Sequence, residues 1–130
     1  MIKLLTLSVL FLFSCSTSSE QEKLISKVIS VDELQGLIKE KSELQLVDVR
    51  TIGEYQRGHL SKSVLIDYYK PDFKAQLQKL DKDKPIAVYC AIGGRSNSTL
   101  KILKRLGFKE AYDLAGGIEA WREKKLPIEN

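Results

Sequence analysis

Short apolar runs alternate with amphipathic stretches along most of this chain. Runs of branched apolar residues with turn residues on either side are typical of strands in a buried sheet. We expect strands at residues 27–29, 44–49, 64–66, 85–89 and 111–114. Between them, apolar residues recur every three or four positions, which is the spacing of one helix face. We expect helices at residues 31–38, 51–57, 71–80, 96–106 and 118–124.

The residues at the ends of these segments support the assignment. Ser30 and Glu33 match a capping box before the first helix, and Pro71 suits the first turn of the third. Gly58 and Gly107 stand where two helices are expected to end. Strands that alternate with helices predict an α/β fold, with a mainly parallel central sheet and helices on both faces. In such sheets, ligands bind at the carboxyl ends of the strands.

The chain begins with a segment that does not fit this alternation. A basic start at Lys3 is followed by an apolar run over residues 4–13, which is too short to span a bilayer as a stable helix. Ser14 and Cys15 follow at once, and together with Leu12 they resemble the lipobox of bacterial lipoproteins. The resemblance implies that Cys15 is acylated by a diacylglycerol and becomes the first residue of the mature protein.

The N-terminal pattern predicts three regions. We expect a signal peptide over residues 1–14, a lipidated cysteine with a flexible tether over 15–26, and a folded domain over 27–130. The lipoprotein interpretation implies a membrane-anchored protein of the bacterial cell envelope that faces the periplasm, with the outer membrane slightly favoured over the inner. The alternative is an ordinary secretory signal with an incidental cysteine.

The composition adds little to this picture. The chain has 130 residues, 43% of them hydrophobic and 29% charged, which suits one ordinary globular domain. The formal net charge of +4 falls by one if Lys3 is removed with the signal peptide. No basic stripe is interleaved with aromatic residues, so we expect no nucleic-acid partner. We expect a monomer.

The residues with the clearest chemical meaning are Cys90-Ala91-Ile92-Gly93-Gly94-Arg95. Cys90 directly follows a predicted strand, and a predicted helix begins after the loop. The free N–H groups and the dipole of a helix start favour a negative charge, so we expect Cys90 to be a nucleophilic thiolate. Two glycines let several backbone N–H groups converge on one point, and Arg95 adds a positive charge. The loop therefore predicts an anion-binding site, formed by the residues from Ala91 to Arg95, around a nucleophilic Cys90.

A buried, inert cysteine at the end of a core strand is the other interpretation of Cys90. The chain has two cysteines, and acylation of Cys15 would leave Cys90 as the one free thiol of an envelope protein. Such a thiol is either reactive or buried. The two glycines and the arginine that follow Cys90 favour a reactive thiol, because a simple core position does not need them.

Three blocks of the sequence, in this order, resemble the signatures of single-domain rhodaneses, a family of sulfurtransferases. The first comprises Leu46-Val47-Asp48-Val49-Arg50, Glu54-Tyr55 and Gly58-His59-Leu60; the second runs from Cys90 to Ser96; the third comprises Gly107-Phe108, Leu114-Ala115-Gly116-Gly117, Ala120-Trp121 and Leu126-Pro127. The resemblance covers roughly residues 28–128. It implies the rhodanese-like α/β fold and a mechanism that passes through a persulfide of Cys90.

The resemblance also implies the reactants. Cys90 would take a sulfane sulfur from a small anionic donor, such as thiosulfate or a persulfide, and pass it to a thiol or to cyanide. No metal or organic cofactor is needed, and a chain with one histidine offers no ordinary zinc site. Phosphatases and arsenate reductases of this fold have one more residue between the cysteine and the arginine, so the spacing here favours sulfur. A phosphatase or arsenate reductase, and a non-enzymatic module that binds sulfur compounds or a protein, remain the alternatives.

Several residues outside the loop are expected to serve the structure. Asp48 and Arg50 suit an ion pair or cap at the end of a strand, His59 a packed and hydrogen-bonded position, and Trp121 a place in the core. We expect Ser96 to cap the helix that follows the loop, and its hydroxyl could also face the bound anion.

Overall fold

The computed structural model describes residues 22–130. The predicted signal peptide over residues 1–14, the predicted lipidation site Cys15 and most of the predicted tether over 15–26 lie outside the described residues. Within residues 22–130, no helix is both long enough and apolar enough to cross a bilayer.

Strands and helices alternate in the order that the hydrophobic pattern predicts. The strands within residues 22–130 are Ile25–Ile29 (β1), Gln45–Asp48 (β2), Val64–Leu65 (β3), Ile86–Tyr89 (β4) and Glu110–Leu114 (β5). The helices of the same residues are Val31–Glu40 (α1), Ile52–Gln56 (α2), Phe73–Gln78 (α3), Gly94–Leu106 (α4) and Gly117–Glu123 (α5). The capping box predicted before α1 is present, because Ser30 and Glu33 each accept the other's backbone N–H with a side-chain oxygen.

The strands form one sheet in the order β1-β5-β4-β2-β3, and every neighbouring pair is parallel. This confirms the predicted α/β fold with a parallel central sheet. β4 lies in the middle: Val88 of β4 is in register with Val47 of β2 on one side and Asp113 of β5 on the other. Because the strands run in the same direction, the loops after β2, β4 and β5 meet at one edge of the sheet.

Both faces of the sheet are covered, which is why its central strands are almost wholly apolar. Successive side chains of each strand point into two different cores. The first core packs one face against α3 and α4, and its members include Val47, Val88, Phe73, Leu77 and Leu103. The second packs the opposite face against α1 and α5, and its members include Leu46, Ala87, Leu34, Ile118 and Trp121.

Three elements begin two residues away from their predicted start. β1 begins at Ile25 rather than at residue 27, and its first two residues pair with β5. Those residues are exposed, so no hydrophobic alternation marks them in the sequence. α3 begins at Phe73 rather than at residue 71, and α4 at Gly94 rather than at residue 96.

Asp48 and Arg50 form a buried ion pair at the end of β2. The Nη2 atom of Arg50 lies 2.7 Å from Oδ2 of Asp48, and both side chains are almost fully covered. The same Nη2 also donates to the carbonyl of Gly58 at 2.7 Å, which joins the end of β2 to the turn after α2. Either charge would be costly to bury alone, so the two residues stabilise this edge of the sheet as a unit.

His59 and Trp121 are packed. The His59 ring stacks on the Tyr55 ring with centroids 3.7 Å apart, and its Nδ1 lies 3.0 Å from the Tyr55 carbonyl oxygen. Trp121 is buried in the second core, and its Nε1 donates to the Pro127 carbonyl at 3.0 Å. These contacts agree with the structural roles expected for both residues.

Candidate active site

Cys90 lies at the carboxyl end of β4, where the central strand enters the loop before α4. It is the one cysteine among residues 22–130, it is free, and it is 1% exposed. The Gly93 N–H donates to its Sγ at 3.1 Å, and the Ser96 Oγ lies 3.4 Å from the same sulfur. The thiol therefore contacts the apolar core on one side and hydrogen-bond donors on the other.

The loop can fold around the sulfur because of Gly93. This residue has φ 119°, a region that a residue with a side chain rarely adopts. Gly93 is the N-cap of α4, and no side chain caps the helix there. The first N–H groups of a helix have no partner within it, so those of α4 are available to an anion in the loop.

The start of α5 fixes the back of the loop. The N–H of Ile118 donates to the Cys90 carbonyl at 2.9 Å, and the N–H of Glu119 donates to the Ala91 carbonyl at 3.2 Å. Gly117 makes this approach possible: a Cβ there would lie 2.4 Å from the Ala91 oxygen and 2.5 Å from the Cys90 oxygen. In a trans peptide the N–H points opposite to the carbonyl, so the N–H groups of Ala91 and Ile92 point away from α5.

Opposing effects act on the pKa of the Cys90 thiol. Burial, the largest single effect, raises it, whereas the Ser96 hydroxyl and the backbone N–H groups of Ser96, Gly93 and Arg95 lower it. The hydrogen bonds together prevail, and the pKa lies below that of an ordinary thiol. Since the thiolate is the nucleophilic form of cysteine, this arrangement prepares Cys90 for attack on an electrophilic atom.

Arg95 does not offer an unpaired charge to the loop. Its Nη1 and Nη2 donate to the two carboxylate oxygens of Glu54, each at 2.8 Å. Glu54 also accepts from the N–H and the hydroxyl of Thr51. Arg95, more than Thr51, lowers the pKa of Glu54 to about 2. The Arg95 guanidinium also lies over the Tyr69 ring, 5.7 Å from its centroid, so it is held at the rim with much of its charge compensated.

The remaining residues of the loop differ in exposure. Ala91 is half-buried against α5, whereas Gly94 is exposed. Ile92 is 75% exposed at the tip of the loop. The mouth of the site is therefore partly apolar, although the backbone around the sulfur is polar.

The prediction that Ser96 caps α4 is wrong. Gly93 is the N-cap, and Ser96 lies within the first turn, fully buried. Its hydroxyl lies 3.2 Å from the Gly93 carbonyl oxygen as well as 3.4 Å from the Cys90 sulfur. The structure supports the alternative, in which this hydroxyl faces the site of the anion.

Two carboxylates near the loop, Glu54 and Asp113, were not predicted as site residues from the sequence. Glu54 holds Arg95, and the capping pattern with Thr51 was a signal that could have singled it out. Asp113 of β5 is 2% exposed; its Oδ2 accepts from Asn97 at 3.5 Å, and its Oδ1 has no hydrogen-bond partner within residues 22–130. Burial raises the pKa of Asp113. Its signal in the sequence was an acid between two apolar residues, Tyr112 and Leu114, of a predicted strand.

Metal ligands do not gather at this site or elsewhere in the part of the chain that the structure describes. Within residues 22–130, no three side chains of His, Cys, Asp or Glu come close enough together to hold a metal ion. The groups that surround the reactive sulfur are backbone N–H groups and the Ser96 hydroxyl.

Comparisons with known proteins agree with this geometry. The sequence model of the rhodanese-like domain family matches residues 30–124. The thiosulfate sulfurtransferase GlpE of Coxiella burnetii is 36% identical over 96 residues, which cover 74% of this chain and 87% of that protein.

Solved structures show the same fold. A rhodanese-related protein from Thermoplasma volcanium has a TM-score of 0.70 at 30% identity, covering 79% of this chain and 97% of that one. A rhodanese-like domain protein from Staphylococcus aureus has a TM-score of 0.67 at 31% identity, covering 80% of this chain and 99% of the other.

The contact between Ser96 and the sulfur can be tested in the full chain carrying Cys15→Ser, which leaves Cys90 as the sole cysteine. We expect Ser96→Ala to raise the midpoint of the pH profile for alkylation by iodoacetamide by about one unit, because one hydrogen bond to the thiolate is lost. Ser98→Ala, a matched change on the same helix, should leave the midpoint in place. An unchanged midpoint in Ser96→Ala would contradict the assignment.

Proposed function

Because the chain belongs to the rhodanese-like domain family, we propose that it is a sulfurtransferase in which Cys90 carries the transferred sulfur as a persulfide. The observation that carries this proposal is the environment of the Cys90 sulfur. A thiol with a lowered pKa faces the N–H of Gly93 and the hydroxyl of Ser96. These groups suit both a thiolate and the anionic persulfide that would replace it.

The first half-reaction loads the enzyme. The Cys90 thiolate attacks the outer sulfur of a thiosulfate-like donor, a new S–S bond forms, and the donor's own S–S bond breaks. Sulfite leaves with the electron pair of the broken bond, and Cys90 becomes a persulfide anion. The N–H groups from Ala91 to Arg95 would stabilise the charge that develops around the sulfur.

The second half-reaction returns the enzyme to its first state. An acceptor thiolate or cyanide attacks the outer sulfur of the persulfide, and the bond from that sulfur to the Cys90 Sγ breaks. The Cys90 thiolate is recovered, and the acceptor leaves as a persulfide or as thiocyanate. No electron source outside the two reactants is required, since the sulfur moves as a neutral atom between two anions.

The state of Arg95 favours sulfur transfer over phosphate or arsenate chemistry. Hydrolysis of an aryl phosphate needs a cation that binds the dianion's oxygens. Here the Arg95 guanidinium already binds both oxygens of Glu54, so it is not free to hold the oxygens of a phosphoryl group through hydrolysis. A persulfide carries a smaller charge that the backbone N–H groups can hold without the arginine.

The donor belongs to the class of compounds with a sulfane sulfur. Thiosulfate suits the N–H groups around Cys90 because it is a small anion. The apolar tip formed by Ile92, which is 75% exposed, equally suits a persulfide with an organic substituent. We therefore propose that the enzyme accepts both thiosulfate and an organic persulfide as donors, and that thiosulfate is an effective donor in assays.

Loading of Cys90 is measured most simply by mass spectrometry of the full chain carrying Cys15→Ser. After incubation with thiosulfate, we expect the intact mass to rise by one sulfur atom, and we expect cyanide to remove that atom as thiocyanate. Further replacement of Cys90 by Ser should abolish both events. The mechanism is wrong if the parent chain gains no sulfur, or if the Cys90→Ser variant still forms thiocyanate.

We also propose that the protein is a lipoprotein of the bacterial cell envelope, anchored through a diacylglycerol on Cys15 and facing the periplasm. The support is the sequence around Leu12, Ser14 and Cys15. Expression of the full chain in a bacterium fed a labelled fatty acid should yield labelled protein, and Cys15→Ala should lose the label. A Cys15→Ala variant that keeps the label would overturn this proposal.

A further inference from the structure

Asp113 carries a buried carboxyl group on the same face of the sheet as the Cys90 side chain. It is 2% exposed and is in register with Val88, two residues before Cys90 on the neighbouring strand. Neighbours in register on parallel strands point to the same side of the sheet. Val88 and Cys90 belong to the core that α4 covers. Asn97 of α4 donates to the Asp113 Oδ2 at 3.5 Å, so the carboxyl group lies beneath the start of this helix.

The Ser96 hydroxyl links the carboxyl group to the sulfur. Its Oγ lies 3.4 Å from the Cys90 Sγ. Burial raises the pKa of Asp113, and the Ser96 hydroxyl and the Asn97 amide oppose that rise, so the same hydroxyl acts on both groups. A hydroxyl accepts one proton while it donates another, and its own proton turns freely about the C–O bond. Ser96 is therefore placed to pass a proton between the sulfur and the carboxyl group.

One oxygen of Asp113 has no hydrogen-bond partner within residues 22–130, namely Oδ1. A buried carboxylate with one long hydrogen bond and no cation is costly, and a proton relieves that cost. On α4, Arg95 is bound to Glu54 and Lys101 is exposed; on β1, the residue in register with Asp113 is the apolar Val28. Oδ1 is thus a buried acceptor that no described cation neutralises.

The Cys90 thiol needs such an acceptor. It is 1% exposed, so its proton must leave through a neighbouring group rather than directly to water. Glu54, with a pKa of about 2, is too weak a base for a thiol. His59 is stacked on the Tyr55 ring and contacts neither the sulfur nor Ser96.

The acidities of the two buried groups also suit a transfer. Burial raises the pKa of Asp113. Burial raises the pKa of the Cys90 thiol too, but the hydrogen bonds to the sulfur outweigh it and lower that pKa. The two pKa values therefore move towards each other. Because two like charges at close range disfavour one another, the pair tends to hold a single negative charge.

We propose that Asp113 receives the Cys90 proton through the Ser96 hydroxyl when Cys90 attacks the sulfur donor. The proposal rests on the proposed sulfurtransferase function. As the Cys90 sulfur bonds to the outer sulfur of the donor, its proton passes to the Ser96 Oγ, and the Ser96 proton passes to the Asp113 Oδ1. The donor's S–S bond breaks, and sulfite leaves with the electron pair.

The site then holds the same charge before and after loading. One negative charge lies on Asp113 while Cys90 is a thiol, and one lies on the persulfide while Asp113 is protonated. A second negative charge beside the persulfide, which would disfavour it, is avoided. Asp113 does not touch the donor, so it is a positioning residue for the proton and acts through Ser96.

The test is the pH dependence of Cys90 reactivity in the full chain carrying Cys15→Ser. The rates of sulfur loading from thiosulfate and of alkylation by iodoacetamide are measured below the midpoint of the Cys90 titration and above that of Asp113. We expect the parent rates to change by less than about twofold per pH unit, because the pair keeps the same number of protons over this range. Asp113→Asn keeps the side-chain shape but takes up no proton, so its rates should fall about tenfold per unit.

Asp72→Asn is the matched control. Asp72 is exposed and makes no side-chain cap hydrogen bond to α3, and the change removes the same charge. We expect this variant to keep the parent profile. Equal slopes in the parent and in Asp113→Asn would overturn the proposal. A parent chain that gains no sulfur would instead overturn the proposed function, while the alkylation rates still decide whether Asp113 takes the proton.

A second measurement leaves Asp113 unchanged. The parent chain with isotope-labelled aspartate is alkylated at Cys90 with iodoacetate or with iodoacetamide, which attach an anionic or a neutral group of similar size. We expect one buried aspartate to titrate, by NMR, at least about one pH unit higher in the anionic form, because like charges repel. The exposed aspartates should titrate identically in both forms. The same midpoints for every aspartate in the two forms would show that Asp113 does not sense the charge at the sulfur, and the proposal would fail.

Discussion

Two backbone hydrogen bonds between the start of α5 and the loop after β4 hold the site together. They run from Ile118 to the Cys90 carbonyl and from Glu119 to the Ala91 carbonyl, at 2.9 and 3.2 Å. They form only because Gly117 has no Cβ, which would lie 2.4 Å from the Ala91 oxygen. With these carbonyls bound on one side, the loop turns its N–H groups to the other. The same contact thus shapes the environment of the sulfur.

The order of the strands explains how distant residues reach this loop. β4 lies between β2 and β5 in a parallel sheet, so the segments that follow all three strands meet at one edge. Gly117 arrives from the β5 side and supports the backbone of the loop. Glu54 arrives from the β2 side and holds Arg95 through two hydrogen bonds of 2.8 Å. The nucleophile is therefore held from both neighbouring strands, and the arginine's charge is largely compensated before a substrate binds.

Much of this arrangement could be predicted from the sequence, because its causes are local. Hydrophobic spacing predicted the order of the elements, and the glycines after Cys90 predicted a loop around the sulfur. What the sequence did not predict depends on residues far apart in the chain. Glu54 and Arg95 meet only through the sheet order, and Ser96 faces the sulfur because α4 begins two residues earlier than its apolar pattern suggests. Asp113 lies between apolar residues of a predicted strand, which hinted at its burial, but its place beside the site follows only from the sheet order.

The central claim is that the loop's hydrogen bonds outweigh burial and hold the pKa of the Cys90 thiol below that of a free cysteine. The most direct measurement is the ultraviolet absorbance of the thiolate as a function of pH, taken as the difference between the full chain and its Cys90→Ser variant. The account predicts one transition with a midpoint clearly below the value of about 8.5 for a free cysteine. A midpoint at or above that value would show that burial prevails, and it would contradict the account.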